Sequence, residues 1–322
     1  MRRPARASGG LSRCPAAFLD RLTPGRRVPV PALLFNALVW GTSWWPLRLL
    51  QQHGLHPLWA TAMVYGLAVA ALVVWRPRSV VEVLRTPALW VLLLAAGATN
   101  ACFNWGVSIG DVVRVVLLFY LMPLWAALLA RALLHEPFSR MAALRVALAL
   151  VGAMVVLWPD DAGLGALPLP HSLPDWLGLA GGFAFALNNV MLRREARRNE
   201  ASRALAMFAG GMLVSAVLAL LLGWQSAAVV PLPPAPDAAW LAIAGALALV
   251  FMASNLALQY GASRLPANVT SVVMISEVVF AAVSSALWGG EALSLQVLAG
   301  GALIVSAALL AALEPASREP ST

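Results

Sequence analysis

Few residues in this chain could do chemistry, and one of them is out of place. Glu277 lies well inside an apolar stretch, where a carboxylate costs at least roughly 2.5 kcal/mol on insertion scales unless it is paired, protonated or turned to water. Three uses fit such a group: carrying a proton, binding a substrate's ammonium, or meeting an arginine structurally. Thr270, Met274, Glu277 and Ala281 share one helical face, which makes Met274 its neighbour. Two arginines are also unusual. Arg48 closes the first apolar run and Arg114 opens the fourth, where the positive end of a helix dipole disfavours a cation. Either they snorkel to headgroups, with Asp111 capping the fourth helix and neutralising Arg114, or they form a mouth that draws carboxylates toward a cavity.

Amides and aromatics supply the remaining polar surface. Asn100 and Asn104 are spaced to share a helix face, as are Asn255 and Gln259, and Asn188 and Asn189 sit together in the sixth run. Uncharged amides suit both the ammonium and the carboxylate of a solute; equally, they hold transmembrane helices together by hydrogen bonds. Asn36, Trp40, Trp44 and Arg48 follow one another at four-residue spacing, while Trp105, Tyr120 and Tyr260 lie on three further runs. Trp44 and Trp105 read equally as interface belt or cavity wall, whereas Trp59, Trp75, Trp158, Trp176 and Trp240 read as belt. A cavity walled by aromatics and methionine favours hydrophobic or aromatic solutes, including cationic drugs through cation–π contact. Glu136 and Glu291, which end the fourth and ninth runs, read as loop anchors.

The elements that must position these groups follow from composition. Hydrophobic residues make up 61% of the chain and charged residues 11%, with a mean hydropathy of +0.80. A soluble domain carries roughly 25% charged residues, so this is an integral membrane protein. The net charge of +8 does not point to nucleic acid, because the arginines cluster in short gaps between apolar runs. Cys14 lies in an Arg-rich segment and Cys102 in an apolar run, which supports neither a disulfide framework nor a metal site. Residues 1–30, rich in arginine with Asp20 as the one acid, read as a disordered cytoplasmic tail, and 314–322 as a second tail.

Between the tails, ten runs approach the roughly 20 residues that cross a bilayer: 32–51, 57–75, 88–107, 112–134, 141–158, 174–193, 203–223, 239–260, 268–288 and 293–313. Continuous rather than alternating apolarity excludes a barrel, so each run is a helix. The arginine-bearing gaps fall on the side of the N-terminus, which makes that side cytoplasmic and places both termini inside.

Shifting the sequence so that Asn100 falls on Asn255 also lays Asn104 on Gln259, Trp105 on Tyr260, Gly106 on Gly261, Ser108 on Ser263 and Glu136 on Glu291. A similar shift lays Trp40 on Phe185, Ser43 on Asn188, Trp44 on Asn189 and Arg48 on Arg193. Residues 31–160 and 174–313 therefore read as two five-helix repeats. An odd helix number inverts the second repeat relative to the first, an arrangement of transporters that alternate access around a midplane site. The fold class is all-α integral membrane protein, ten transmembrane helices in two inverted repeats around a central cavity.

The run ending PLWAALLARALLHE followed by LVGAMVVL, and its counterpart EVVFAAVSSALWGGE followed by LAGGALIVSAALL, resemble the EamA-type drug/metabolite transporter superfamily across about residues 32–313. Within it, GDVVRVVLLFYLMPLW, from Gly110 to Trp125, is similar to bacterial aromatic amino-acid exporters. The resemblance implies a basket in which helices 1, 3, 4, 6, 8 and 9 surround the cavity and helices 5 and 10 pack outside. The family often carries proline in helix 9 at the position equivalent to Pro123; here it is Val278, so a kink in that helix would need another source.

The function expected is secondary transport of a small metabolite across a bacterial inner membrane, above all export of hydrophobic or aromatic amino acids. Multidrug or other metabolite export is the alternative within the superfamily, and a passive channel or non-transporting receptor the alternative outside it. No enzyme is expected, since the four histidines have no HExxH setting and no GxSxG occurs. No P-loop is present, and GLGAL at Gly163–Leu167 lacks the strand and helix of a dinucleotide site. Neither cofactor nor metal is expected. The partners are a small-molecule substrate and the bilayer, with no nucleic acid, and the chain a monomer or weak homodimer. Substrate contacts are expected from Trp44, Asn100, Asn104, Trp105, Tyr120, Asn188, Asn189, Asn255, Gln259, Tyr260 and Met274, and coupling or charge from Glu277, Arg48 and Arg114.

Overall fold

A computed structural model describes residues 29–134, 140–158, 169–195, 197–262, 264–265, 270, 273–291 and 293–313, the side chains of Ala130, Leu134, Arg193, Gln259, Ala262, Ala311, Ala312 and Leu313 excepted. Of the tail expected at 1–30, residues 1–28 lie outside the described residues, as do 314–322 and Glu136, whereas Pro29 and Val30 already belong to the first helix. Every regular element among them is helical. The first run is α1 (Pro29–Thr42) and α2 (Trp44–Gln52), and the second is α3 (Pro57–Trp75). The arginine-bearing gap after it forms a short amphipathic helix, α4 (Arg78–Arg85), whose Glu82 accepts a bond from Ser202 Oγ at 2.6 Å. The third run is α5 (Pro87–Ile109), the fourth α6 (Val112–Phe119) and α7 (Met122–Leu134), and the fifth α8 (Arg140–Leu157). Then come α9 (Leu173–Arg194), α10 (Glu200–Gln225), α11 (Ala238–Ala262), α12 (Ser276–Ser284) with a π turn at Ser285–Gly289, and α13 (Leu295–Leu313).

Among the described residues, six stretches are long and apolar enough to cross a membrane: Pro57–Trp75, Pro87–Ile109, Val112–Leu133, Arg140–Leu157, Glu200–Gln225 and Ala238–Leu258. Their outward faces are as apolar as their buried ones, with Leu67, Val74, Leu94, Leu220 and Leu249 all exposed, as expected of helices bathed in lipid. Local chemistry sets the starts. Proline opens α3 and α5, where a missing N–H costs nothing. Asp111 caps α6 and Asn199 caps α10 through their side-chain oxygens.

Three runs are interrupted. The first breaks at Ser43, whose hydroxyl turns back to the Trp40 carbonyl at 2.8 Å. The fourth breaks at Tyr120–Leu121 and the ninth at Ile275, and Tyr120 and Ile275 are the same position in the alignment that pairs Asn100 with Asn255. Pro123 lacks the N–H that would continue the first of these helices. Val278 has that N–H but bonds the Ile275 carbonyl at 3.1 Å, and Ser276 Oγ donates to the Val273 carbonyl at 2.6 Å. The ninth run is thus broken without proline, by short-range bonds that replace the helical ladder.

Packing interleaves the two halves. Helix α1 lies on α11 and α12, while α9 lies on α5, α6 and α7; α3 pairs with α10 and α8 with α13. Glycine permits the closest approaches. A methyl at Gly41 would sit 2.7 Å from the Glu277 carbonyl, and one at Gly210 would collide with the Leu93 carbonyl. Trp240, expected in an interface belt, is instead buried, its Nε1 donating to Ala235 O at 3.1 Å.

At the end of the bundle that carries Asp111, ion pairs join the halves. Arg48 Nη2 donates to Glu291 Oε1 at 2.8 Å and to Gly110 O at 2.6 Å, and Glu291 Oε2 accepts the Val112 N–H at 3.0 Å. Glu291 is therefore the loop anchor expected. Arg114 does not pair with Asp111, which is occupied in capping the Arg114 N–H. Its guanidinium grips Asp175 of α9 at 2.7 and 3.2 Å.

Candidate functional site

Between the halves lies a cavity of about 520 Å³. Equivalent positions of the two halves meet on its wall: Asn100 with Asn255, Tyr120 with Ile275, Met122 with Glu277, and Trp40 with Phe185. Lining residues sit from the middle of the bundle toward the end that carries Arg194. At the Asp111 end the two ion pairs cross between the halves, and Pro174 packs so tightly that a methyl placed on Gly110 would collide with its side chain.

The polar lining is built from helix interruptions and amides. Because the Val278 N–H is diverted to Ile275, the Met274 carbonyl loses its helical partner. The Tyr120 hydroxyl, released by the interruption facing it, reaches that carbonyl at 3.1 Å and Glu277 Oε2 also at 3.1 Å. Asn100 Oδ1 accepts the Tyr65 hydroxyl at 2.5 Å. Asn36 Nδ2 ties α1 to the Ser254 carbonyl of α11 at 2.9 Å. Among the described residues, Asn36 Oδ1, Asn104 Oδ1, Trp125 Nε1, Asn188 Oδ1, Arg203 Nε, Ser215 Oγ and Thr270 Oγ1 are buried with no hydrogen-bond partner. Asn36, Asn188 and Thr270 belong to the cavity lining; the other four lie outside it.

Aromatic rings form the rest. Trp40 stacks on Phe251 at 4.9 Å and meets Phe103 edge-on at 5.9 Å, Phe103 meets Phe119 at 5.0 Å, Phe119 meets Phe185 at 5.2 Å, and Tyr65 meets Phe208 at 5.8 Å. Glu277 is the one acidic or basic side chain among the described lining residues.

Of the residues expected at the site, Asn100, Tyr120, Asn188, Asn189, Asn255, Met274 and Glu277 line this cavity. The others lie elsewhere. Asn104 is fully buried against α3, its Nδ2 donating to Thr61 Oγ1 at 3.1 Å; it stands one turn beyond Asn100 as Thr61 stands one turn from Tyr65, so the two pairs stitch α3 to α5. Trp44 is buried beside α12, donating to Ser284 Oγ at 2.9 Å, with the Arg48 guanidinium 4.8 Å from its ring. Trp105 lies against the ring of His56 at 5.2 Å, outside the cavity. Tyr260 is exposed beneath the Arg264 guanidinium at 3.8 Å. Arg48 and Arg114 belong to the ion pairs of the Asp111 end, and the Gln259 side chain lies outside the described residues.

Tyr65 and the phenylalanines were missed by sequence reasoning that weighed tryptophan and the other tyrosines. One signal for them existed: Phe185 is the repeat equivalent of Trp40, so a ring on one wall implied a ring on the other.

The same architecture recurs in known proteins. A model of the EamA-like transporter family matches residues 29–158 and again 172–313. No curated protein matches the sequence. A solved structure, titled only as the crystal structure of a protein, is similar in fold, with a TM-score of 0.52 and 20% identity over 89% of this chain and 96% of that one.

Proposed function

Since the chain belongs to the EamA-like transporter family, we propose that it is a secondary transporter that exports hydrophobic or aromatic amino acids through the cavity by alternating access. In this reading the interrupted first, fourth and ninth runs each cross the membrane once. The chain then has ten transmembrane helices in two inverted repeats, 31–160 and 174–313. The arginine-rich gaps place the Arg194 end and both termini in the cytoplasm of a bacterial inner membrane.

One observation carries the proposal: the cavity is walled by equivalent residues from both family-matched stretches, and about 520 Å³ falls within the roughly 300–1,000 Å³ of small-molecule sites. Its aromatic rings suit an apolar body. The amides and Glu277 suit an amino acid's head group, Asn100, Asn188, Asn189 and Asn255 for the carboxylate and Glu277 for the ammonium. The lining residues lie from the middle of the bundle toward the Arg194 end, which supports a solute entering from the cytoplasmic side.

The test is flux in proteoliposomes loaded with labelled phenylalanine, tryptophan or leucine. Saturable efflux of one of them, lost when the Asn188→Ala and Asn255→Ala changes are combined, is expected; no saturable flux of any would overturn the amino-acid reading. A second reading, export of an organic cation, is favoured by Glu277, the one carboxyl group among the described lining residues, and by the aromatic rings of the same cavity.

A further inference from the structure

We propose that the Tyr120–Met274–Glu277 cluster is a proton-for-ammonium exchange site, in which Glu277 releases its proton when a primary ammonium on an apolar body binds. The inference rests on the transport reading and specifies which group of the solute is recognised and what is exchanged for it.

The broken helix creates the site. The Met274 carbonyl does not receive the Val278 N–H, which bonds Ile275, and the Tyr120 hydroxyl lies 3.1 Å from both this carbonyl and Glu277 Oε2. One hydroxyl hydrogen cannot fully serve two acceptors. When Glu277 is protonated, its O–H donates to the Tyr120 oxygen and the Tyr120 hydrogen is left for the Met274 carbonyl, so all three groups are satisfied. When Glu277 is ionised, the hydroxyl turns to the carboxylate, and the Met274 carbonyl becomes available to a new donor. An ammonium has three hydrogens, and it can bridge the carboxylate and the vacated carbonyl. The structure thus offers a complete hydrogen-bond set for each of two states, differing by a proton lost and an ammonium gained. In the balanced step, the neutral carboxylic acid of Glu277 and a free alkylammonium give a carboxylate–ammonium ion pair and one proton, which passes to water in the cavity. No covalent bond to the solute forms or breaks, and total charge is unchanged.

The surroundings leave Glu277 alone in this role. Helix α1, which packs on α12, has no ionisable residue among Pro29–Thr42 and presents Trp40, Gly41 and Asn36. Helix α6 carries only Arg114, committed to Asp175 at the far end. From the junction of α6 and α7 the titratable neighbour is Tyr120 itself. No cation among the described lining residues competes with an incoming ammonium.

The full-length protein in lipid nanodiscs tests this with two probes, phenethylamine and phenylalanine, by binding and by proton release into weakly buffered solution. The expectation is about one proton released per probe bound below the pH at which free Glu277 ionises, with affinity rising with pH. Glu277→Gln is isosteric and still accepts the Tyr120 hydroxyl, so it should fold. It should abolish proton release and weaken the ammonium probes about tenfold or more, whereas Glu277→Asp should retain release. Tyr120→Phe should retain exchange with a shifted pH midpoint. Release with both probes assigns the site to amino acids, and release with phenethylamine alone assigns it to amines; either supports the exchange. Binding without proton release, or equal binding by Glu277→Gln, overturns it. Flux that persists in Glu277→Gln would overturn the exchange while leaving transport standing. Proton-releasing binding without flux would do the reverse.

Discussion

At the scale of single residues, the neighbour a side chain packs against, rather than its type, separates cavity residues from structural ones. Asn100 and Asn104 are chemically identical and one turn apart, yet one reaches the cavity and the other is sealed against Thr61. Their shared face was legible in the sequence; which neighbour each would meet depended on the register of α3, which no spacing within α5 encodes. His56 shows the same dependence. Its Nδ1 accepts the Leu58 N–H at 3.2 Å, capping α3, and its ring lies against Trp105. Desolvation lowers its pKa from 6.5 to about 4, which is the direction expected of a cap that must stay unprotonated. Between pH 6.5 and 4 the unfolded chain takes up a proton that the folded chain refuses, so this contribution is whole above pH 6.5 and fades as pH falls. Thermal unfolding of the detergent-solubilised protein should lose stability across that interval, and His56→Asn, which caps without titrating, should flatten the loss.

At the scale of elements, helix positions were written in the apolar runs, and α3 occupies the span expected of it, 57–75. The interruptions were not, because their cause is distributed: proline marks one, whereas the equivalent break at Ile275 arises from a serine hydroxyl and a short-range N–H bond. Close crossings were hidden too, since a glycine is informative only once its neighbour is known. Gly97 and Gly210 meet backbone to backbone, with the Gly97 nitrogen 2.9 Å from a methyl placed on Gly210. Gly210→Ala should therefore separate α5 from α10 and destabilise the protein by about 1–3 kcal/mol. Gly245→Ala, with nothing within 4 Å of the added methyl, should leave the melting temperature unchanged or raise it slightly. Both are read by the temperature at which the solubilised protein leaves its monodisperse chromatographic peak.

At the scale of the whole molecule, the Asp111 end is locked by charged groups contributed from both halves. The misplaced arginines were visible in the sequence, but their partners, Glu291 and Asp175, are distant in the chain and were not. Asp175 is almost fully buried, so Arg114→Gln leaves a carboxylate without its cation and should cost about 3–5 kcal/mol. Adding Asp175→Asn should recover much of that loss, and a double-mutant cycle on unfolding midpoints measures the coupling. The interleaving of α1 with α11 and α12, and of α9 with α5, α6 and α7, has a further meaning. Each half lends its leading helix to the other, the arrangement of a domain-swapped dimer joined into one polypeptide. Neither half can complete its interior alone. A chain severed between residues 158 and 172 would yield two fragments that are each short of a wall, and that regain a folded state only by complementation when made together.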